Sequence, residues 1–257
     1  MTENRFTPLI FEDHFKQPEL NLNKWFPHYL PHWSNLEKSK ASYKIENHAL
    51  RLFISDKQAP WCPEYDGDIK VSGLQTGHYS KEVGSPEGQH RFRKGQEVRH
   101  YLPPFQLFLA QYFRLEMRAR AKLNANNLAG LWLIGFEEEA EKSGEITLFE
   151  AFGHNIKQNN ARIGRGVKQL TDPLLLDEVD DSELAINIED WHTYAMEWTA
   201  EGIDFYLDDT LISSTKQSPN YPMQLMLNFY EFPSQSKGPN PDDAWFDIDF
   251  IRCFSMA

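Results

Sequence analysis

The chain has 257 residues and a formal net charge of −12. That length can bury a sizeable core in one large all-β domain or in two small domains. Nucleic acid and anionic membrane surfaces are polyanions, so a chain this acidic is a poor partner for either, and neither is expected to bind it. No apolar run approaches the roughly 20 residues that a membrane-spanning helix needs.

The N-terminal segment MTENRFTPLIFEDHF has neither the basic nor the apolar region of a secretory signal peptide. We therefore expect a cytoplasmic protein if this N-terminus is native, and an extracellular one if a leader has been trimmed. The two cysteines, Cys62 and Cys253, allow one disulfide but form no CxxC metal-binding motif.

In chain order, apolar residues recur with a period of two, which is typical of strands that bury one face. ASYKIENHALRLFIS predicts a hairpin that turns near Asn47, and YFRLEMRARA predicts a strand with one apolar and one charged face. GIDFYLDDTLI predicts a second hairpin, with Asp208 and Asp209 in its turn. Further strand candidates are WHTYAMEW, MQLMLNFY and WFDIDFIRCF.

Helical patterning is weak along the whole chain. The best helical candidate is the acidic segment DPLLLDEVDDSELAI, residues 172–186, which we interpret as an insertion between strands. Loops that carry Pro and Gly separate the strands, and we find no repeat, low-complexity segment or interdomain linker. This organisation predicts one domain over residues 1–257, built as an antiparallel sandwich or jelly roll.

Two glutamates, Glu145 and Glu150, lie five positions apart in the strand candidate GEITLFEAFG. Regular alternation would place them on opposite faces. A β-bulge near Leu148 and Phe149 would bring both carboxylates, and the Thr147 hydroxyl, to one face, and bulges are common beside active sites. Because 38 of the 257 residues are acidic, the pair alone is also compatible with two glutamates at the rim of an edge strand.

The sequences around this pair resemble glycoside hydrolase family 16, the laminarinase and lichenase group. GEITLFE is similar to the family's catalytic Glu-x-Asp-x-x-Glu strand in its bulged form, with Thr147 where the family has Asp. AGLWLIG resembles the family's Trp-rich strand before it, and WHTYAMEWTAEGIDFYLDD resembles the hairpin after it. FEDHFKQPELNLNKW, QLMLNFY and FDIDFIRCF resemble the opening, last cleft and closing strands, in the family's order.

The resemblance implies a concanavalin A-like β-jelly roll of two antiparallel sheets whose concave face binds a glycan. It implies a retaining endo-glycosidase or transglycosylase acting on a β-linked polysaccharide, such as a β-glucan or galactan. Glu145 would be the nucleophile and Glu150 the acid/base. Thr147 lacks the charge of the family's aspartate, but its hydroxyl can donate a hydrogen bond to Glu145.

Several other residues are candidates for contacts with the glycan; Asn228 is one because alternation with Leu227 and Phe229 turns it away from the core. Trp132 would stack on a sugar or pack as a core ring, Asn228 would contact a sugar hydroxyl, and Trp33 would border the cleft or act as a hydrophobic staple. No cofactor is required; many family members hold a structural Ca²⁺ on the convex side, where Asp249 would be a ligand. The expected partner is a polysaccharide or oligosaccharide, and a monomer is expected.

Two other hypotheses about the function of the chain remain open. Without the acidic residue at position 147, the chain could be a carbohydrate-binding jelly-roll protein that has lost catalysis. A structural protein with a closed cleft would neither bind nor cleave sugar. A close carboxylate pair in an open groove favours the enzyme, whereas a groove blocked by the loop FPSQSKGPNPDD favours the binding protein.

Overall fold

The computed structural model describes residues 6–236 and 243–256 of the chain. Within them the α-helices are α1 Leu36–Ser39 and α2 Pro63–Asp66, and the 3₁₀ helices are Pro31–Trp33, Gly153–Asn155 and Pro233–Gln235. The strands are β1 Phe6–Asp13, β2 Tyr43–Glu46, β3 Ala49–Leu52, β4 Lys70–Gln75, β5 Gly77–His78, β6 Phe105–Gln106, β7 Phe113–Lys122, β8 Asn127–Gly135, β9 Glu145–Phe152, β10 Ile156–Lys157, β11 Asn160–Arg162, β12 Gly164–Lys168, β13 Glu178–Asp180, β14 Glu183–Leu184, β15 His192–Thr199, β16 Gly202–Leu207, β17 Thr210–Thr215, β18 Met223–Glu231 and β19 Trp245–Met256.

Two antiparallel sheets form a β-sandwich. The larger sheet has eight strands in the order β17-β16-β15-β7-β19-β3-β2, with β1 also paired to β19. The second sheet has six strands in the order β13-β12-β9-β8-β18-β4. Two small ladders, β10-β11-β14 and β5-β6, complete the pairing of the described strands. The all-β, two-sheet jelly-roll class predicted from the sequence is confirmed.

The main core fills the space between the two sheets. The four alternating apolar residues at the start and middle of β7 are fully buried there, namely Phe113, Leu115, Met117 and Ala119. Phe149 of β9 stacks on Phe246 of β19, with ring centroids 5.4 Å apart, and so connects one sheet to the other. Burying each large apolar side chain contributes about 1.5–3 kcal/mol, which makes the inward face of each strand strongly preferred.

Both predicted hairpins are present, and each turns through two residues. Asn47 and His48 join β2 to β3 with φ of 52° and 58°. Asp208 and Asp209 join β16 to β17 with φ of 47° and 62°. Positive φ at both loop positions gives the turn whose twist matches that of the flanking strands, and Asn and Asp accept this conformation more readily than most residues.

The helix predicted over residues 172–186 is wrong. This segment contains two short strands, β13 and β14, which are separated by Asp181 and Ser182 and belong to different sheets. Asp180 of β13 accepts a 2.6 Å hydrogen bond from Arg165, a guanidinium only 2% exposed on the neighbouring strand β12. Leu174 and Leu176 remain exposed, so three consecutive leucines do not supply the one-sided apolar stripe that would anchor a helix.

A second apolar cluster covers part of the other face of the six-stranded sheet. Tyr29 and Trp61 from loops and Trp33 from the 3₁₀ helix Pro31–Trp33 pack there together with Val71 of β4 and Tyr230 of β18. These loops cover the β4 and β18 side of the face. The same cluster includes Leu128, Trp132 and Ile134 of β8, so it extends to the middle of the sheet.

The structure also describes the two cysteines and the lengths of the helices. Cys62 and Cys253 are both buried and free, so the single disulfide that the sequence allowed is not formed. Across the described ranges, none of the helices has the length and hydropathy to traverse a bilayer.

Candidate active site

Leu148 on strand β9 has no pairing partner on the neighbouring strand β8. On β8, Leu131 pairs with Phe149 and the next residue, Trp132, pairs with Thr147, so the register skips Leu148. The pairing of β9 with β12 shifts over the same stretch. This is the β-bulge predicted from the spacing of the two glutamates, and the structure confirms it.

The bulge redirects the side chains on either side of it. Leu148 and Phe149 are consecutive, yet both lie in the core between the sheets. The residues on the other face are therefore Glu145, Thr147 and Glu150. Without the extra residue Glu150 would point into the core, where an unpaired carboxylate is costly.

The two carboxylates meet at one ammonium group. Lys168 Nζ lies 3.0 Å from Glu145 Oε1 and 2.9 Å from Glu150 Oε1. Two oxygens bound to the same nitrogen at these distances are less than about 6 Å apart, close to the roughly 5–5.5 Å separation of carboxyl groups in retaining glycosidases. The two carboxylates are therefore close together in the folded chain, although regular strand alternation would have placed them on opposite faces.

The two glutamates have different surroundings. Glu145 is 4% exposed, and its Oε1 accepts a 2.7 Å hydrogen bond from the Thr147 hydroxyl in addition to the contact with Lys168. The side chain of Glu150 is 25% exposed and opens toward the cleft. Burial lowers the pKa of Lys168, but the charges of Glu145 and Glu150 outweigh it and hold that pKa above its usual value, so Lys168 stays protonated.

Space for Glu150 depends on a glycine in the neighbouring strand. Gly164 pairs directly with Glu150, and a Cβ at Gly164 would lie 3.3 Å from Glu150 Oε2. A larger residue would press against this carboxylate. Gly164 of the segment ARIGRGVK therefore leaves room for Glu150, and Lys168 ends the same segment.

A cavity of about 200 Å³ opens over the carboxylates. Its remaining lining is mainly aromatic and comprises His90, Leu128, Gly130, Trp132, Phe152, Tyr230 and Phe232. Trp132 is 7% exposed, and its ring lies 4.7 Å from that of His90. Flat rings beside a carboxylate pair suit the C–H faces of a sugar. Trp132 is therefore mostly packed and presents a small part of its surface to the cavity.

Asn228 faces this side of the sheet, but it is fully buried. With its amide oriented to satisfy its neighbours, Asn228 Oδ1 accepts the indole N–H of Trp132 at 2.7 Å. The direct sugar contact predicted for Asn228 is therefore corrected to a supporting contact beneath Trp132.

Trp33 is likewise fully buried, and its indole N–H donates to the carbonyl of Gln89 at 2.8 Å. It leaves no ring face for a sugar, so the cleft-border role is wrong and the alternative packing role applies. The loop that contains Gln89 covers the indole, and no local sequence pattern predicts this contact.

Asp249 does not lie in a metal-binding environment. Its Oδ2 is 2.5 Å from Arg118 Nη1, and a guanidinium at that position excludes a cation. Within residues 6–236 and 243–256, no group of three or more His, Cys, Asp or Glu side chains could hold a metal ion. The described residues therefore do not fit the calcium site that the resemblance implied at Asp249.

Sequence reasoning missed several residues of the site, most importantly Lys168, His90 and Tyr230. Lys168 and Glu150 are 18 positions apart, and only the pairing of β12 with β9 brings them together. The sequence offers only a weak signal for Lys168, namely its position two residues after Gly166 in the segment ARIGRGVK. A blocked groove would have favoured the binding protein, but half of the loop FPSQSKGPNPDD, residues 237–242, lies outside the described residues; Phe232 at its start lines the cavity.

Comparisons with known proteins give one family and a set of similar folds. The family model described as "Glycosyl hydrolases family 16" matches residues 108–239, just over half of the chain. A search of curated protein sequences gives no match. The matched segment includes the bulged strand, Trp132, Lys168 and Asn228.

Solved structures give a wider match. A GlcNAcα1-4Gal releasing endo-β-galactosidase from Clostridium perfringens is 28% identical, with a TM-score of 0.84, over 98% of this chain and 63% of that one. The chain thus spans less than two thirds of the Clostridium protein. The catalytic domain of an endo-1,3-β-glucanase (laminarinase) from Thermotoga petrophila is 17% identical, with a TM-score of 0.64, over 97% of this chain and 98% of that one. A laminarinase from a Flavobacterium species is 18% identical, with a TM-score of 0.63, over 96% of this chain and all of that one.

Proposed function

Because the chain belongs to glycosyl hydrolase family 16, we propose that it is a retaining endo-glycosidase that hydrolyses β-linked O-glycosidic bonds of a polysaccharide. The observation that carries this proposal is the meeting of Glu145 and Glu150 at one ammonium group, less than about 6 Å apart, in a cavity lined with aromatic rings.

The different surroundings of the two carboxylates suggest their roles. Glu145 lies at the bottom of the site, where two donors stabilise its anion, so we assign it as the nucleophile. Its oxygen bonds to the anomeric carbon while the glycosidic C–O bond breaks. Glu150 is more exposed, so we assign it as the acid that protonates the leaving oxygen.

In the second step a water molecule attacks the anomeric carbon and the bond to Glu145 breaks. Glu150, now ionised, takes the proton of that water, which restores both residues. A sugar hydroxyl in place of water would make the same site a transglycosylase. Trp132 would hold the sugar ring over the carboxylates, supported from below by Asn228.

The substrate is proposed to be a β-glucan or a β-galactan. The laminarinase structures, at 17% and 18% identity, support the fold alone. The Clostridium enzyme, at 28% identity and a TM-score of 0.84, favours a β-galactosidic bond as the first to test.

A second candidate is a carbohydrate-binding protein without catalysis. Two observations favour it: Thr147 lacks the charge of an acid, and Lys168 contacts both carboxylates. A general acid must carry a proton, and a neighbouring ammonium favours the ionised form. Binding without cleavage would support this candidate.

The decisive experiment is a digestion panel of β-glucans and β-galactans with wild type, Glu145→Gln and Glu150→Gln. Both variants are expected to lose nearly all turnover while remaining folded. The matched control is Glu139→Gln, an exposed glutamate paired with Lys142 on a surface loop, which should keep full activity. Normal activity of either site variant would show that the chemistry lies elsewhere.

Azide distinguishes the two roles. Glu145→Ala with azide should release a glycosyl azide of inverted anomeric configuration, because azide then replaces the missing nucleophile on the opposite face. Glu150→Ala should instead give an azide of retained configuration, since Glu145 still forms the covalent intermediate.

A further inference from the structure

Lys168 occupies a central place in the site that neither its sequence position nor the family match explains. It ends strand β12 and is the cross-strand partner of Glu145. Its ammonium reaches Glu145 Oε1 at 3.0 Å and Glu150 Oε1 at 2.9 Å, and its side chain is 28% exposed. One ammonium therefore contacts both proposed reacting carboxylates.

No other lining residue supplies a comparable charge. Burial and the charge of Lys168 lower the pKa of His90 to about 4, so its imidazole is neutral at neutral pH. Burial raises the pKa of Tyr230, and of Tyr29 packed behind it, so both phenols are neutral as well. Among the described residues that line the cavity, Lys168 is the sole cation at neutral pH.

We propose that Lys168 is a positioning residue of this glycosidase site: its ammonium holds the carboxylates of Glu145 and Glu150 at their working separation and sets the pH above which Glu150 no longer carries the proton for the leaving group. This inference rests on the proposed function.

The physical argument starts from the repulsion between two carboxylates less than about 6 Å apart, a spacing at which like charges disfavour joint ionisation. The ammonium reverses this tendency because it attracts both anions. At position 147 the chain has a neutral hydroxyl, so no further negative charge on β9 acts against Lys168. Glu145 and Lys168 thus act on Glu150 with opposite sign, and the proposal is that the attraction of Lys168 prevails and places the basic limb of the pH–rate profile at lower pH.

Apart from Glu145, the remaining groups around Glu150 carry no charge that counters the effect of Lys168. Strand β8 presents Gly130, and β12 presents Gly164 next to Lys168. His90 and Tyr230 approach from a loop and from β18, and both are neutral near pH 7. Glu145 on the same strand is the only other charged group among the described lining residues.

The test compares pH–rate profiles of wild type, Lys168→Met and Lys168→Arg on whichever polysaccharide is cleaved. An opposite charge within 4–6 Å shifts a titration by about 1–3 pH units, so Lys168→Met should move the basic limb upward by at least about one unit. Lys168→Arg keeps the charge and should return the limb toward the wild-type position. Lys142→Met, at an exposed loop lysine, is the matched control and should change nothing.

A second measurement is independent of turnover. Carbon-13 labelling of glutamate carboxyls, with Glu150→Gln to assign the signal, follows the titration of Glu150 directly. Its midpoint should rise in Lys168→Met and in Lys168→Gln, which serves if the methionine variant does not fold. An unchanged midpoint, or superimposable basic limbs, would overturn the proposal for Lys168. A wild type inert on every glycan would instead count against the proposed function, while the titration would still decide the role of Lys168.

Discussion

His78 offers a direct link between a buried side chain and the acid sensitivity of the fold. It lies on β5, is fully buried, and its ring stacks on Phe105 with centroids 5.7 Å apart. Neither ring nitrogen forms a hydrogen bond of normal geometry with a described residue. Burial, together with the nearby His100, lowers the pKa of His78 from 6.5 to about 4.

The sign of the effect on stability follows from proton binding. Above pH 6.5 the ring is neutral in both the folded and the unfolded chain, so His78 has no pH-dependent effect. As the pH falls from 6.5 toward 4, the unfolded chain binds the proton and the folded chain does not, so the free energy of unfolding decreases. One pH unit corresponds to 1.36 kcal/mol, so His78 alone can remove up to about 3 kcal/mol by pH 4.

His78→Phe keeps the stacked ring and removes the titration. Urea unfolding at a series of pH values from 8 to 4 should show that the variant loses up to about 3 kcal/mol less than wild type over the acid range. At pH 8 His78 is neutral in both states, so any difference in the free energy of unfolding between the two proteins should come from packing alone. His154→Phe, at an exposed position, is the control and should follow the wild-type pH dependence.

Parallel curves of unfolding free energy against pH for wild type and His78→Phe would refute this reasoning. They would mean that His78 is solvated or hydrogen-bonded in the folded chain. A difference that grows on the alkaline side would also refute it, because the sign would then be opposite.

The contacts of Thr147, Arg165 and Asn228 can each be tested by one substitution. Thr147→Asp should move the basic limb of the pH–rate profile upward by about one unit, since a third carboxylate disfavours ionisation of the acid/base; superimposable limbs would contradict this. Arg165→Met should lower the free energy of unfolding by about 2–3 kcal/mol in urea titrations, because it removes a buried charged hydrogen bond to Asp180, and a loss below about 0.5 kcal/mol would count against it. Asn228→Leu should destabilise the fold by about 1–3 kcal/mol and raise KM, because the indole N–H of Trp132 loses its acceptor; unchanged urea midpoints would argue against that contact.

Much of the fold could be predicted from the sequence because its signals are local. Alternation along β7 determines which face is buried, and Asn47 with His48, or Asp208 with Asp209, accept the φ values of a tight turn. The bulge was predictable for the same reason. Two carboxylates five positions apart can share a face only if one residue is added between them.

Contacts between distant segments were decided by the tertiary structure. Lys168 reaches Glu150 only because β12 pairs with β9, and neither the period of a strand nor a turn residue encodes that pairing. Trp33 is buried because the carbonyl of Gln89, far along the chain, accepts its indole N–H. The acidic segment near Asp180 is drawn into a strand by the buried guanidinium of Arg165, which outweighs its local helical composition. In each case the stabilising free energy comes from a contact between residues that are far apart in sequence. Only the packing of the sheets and their loops brings these residues together.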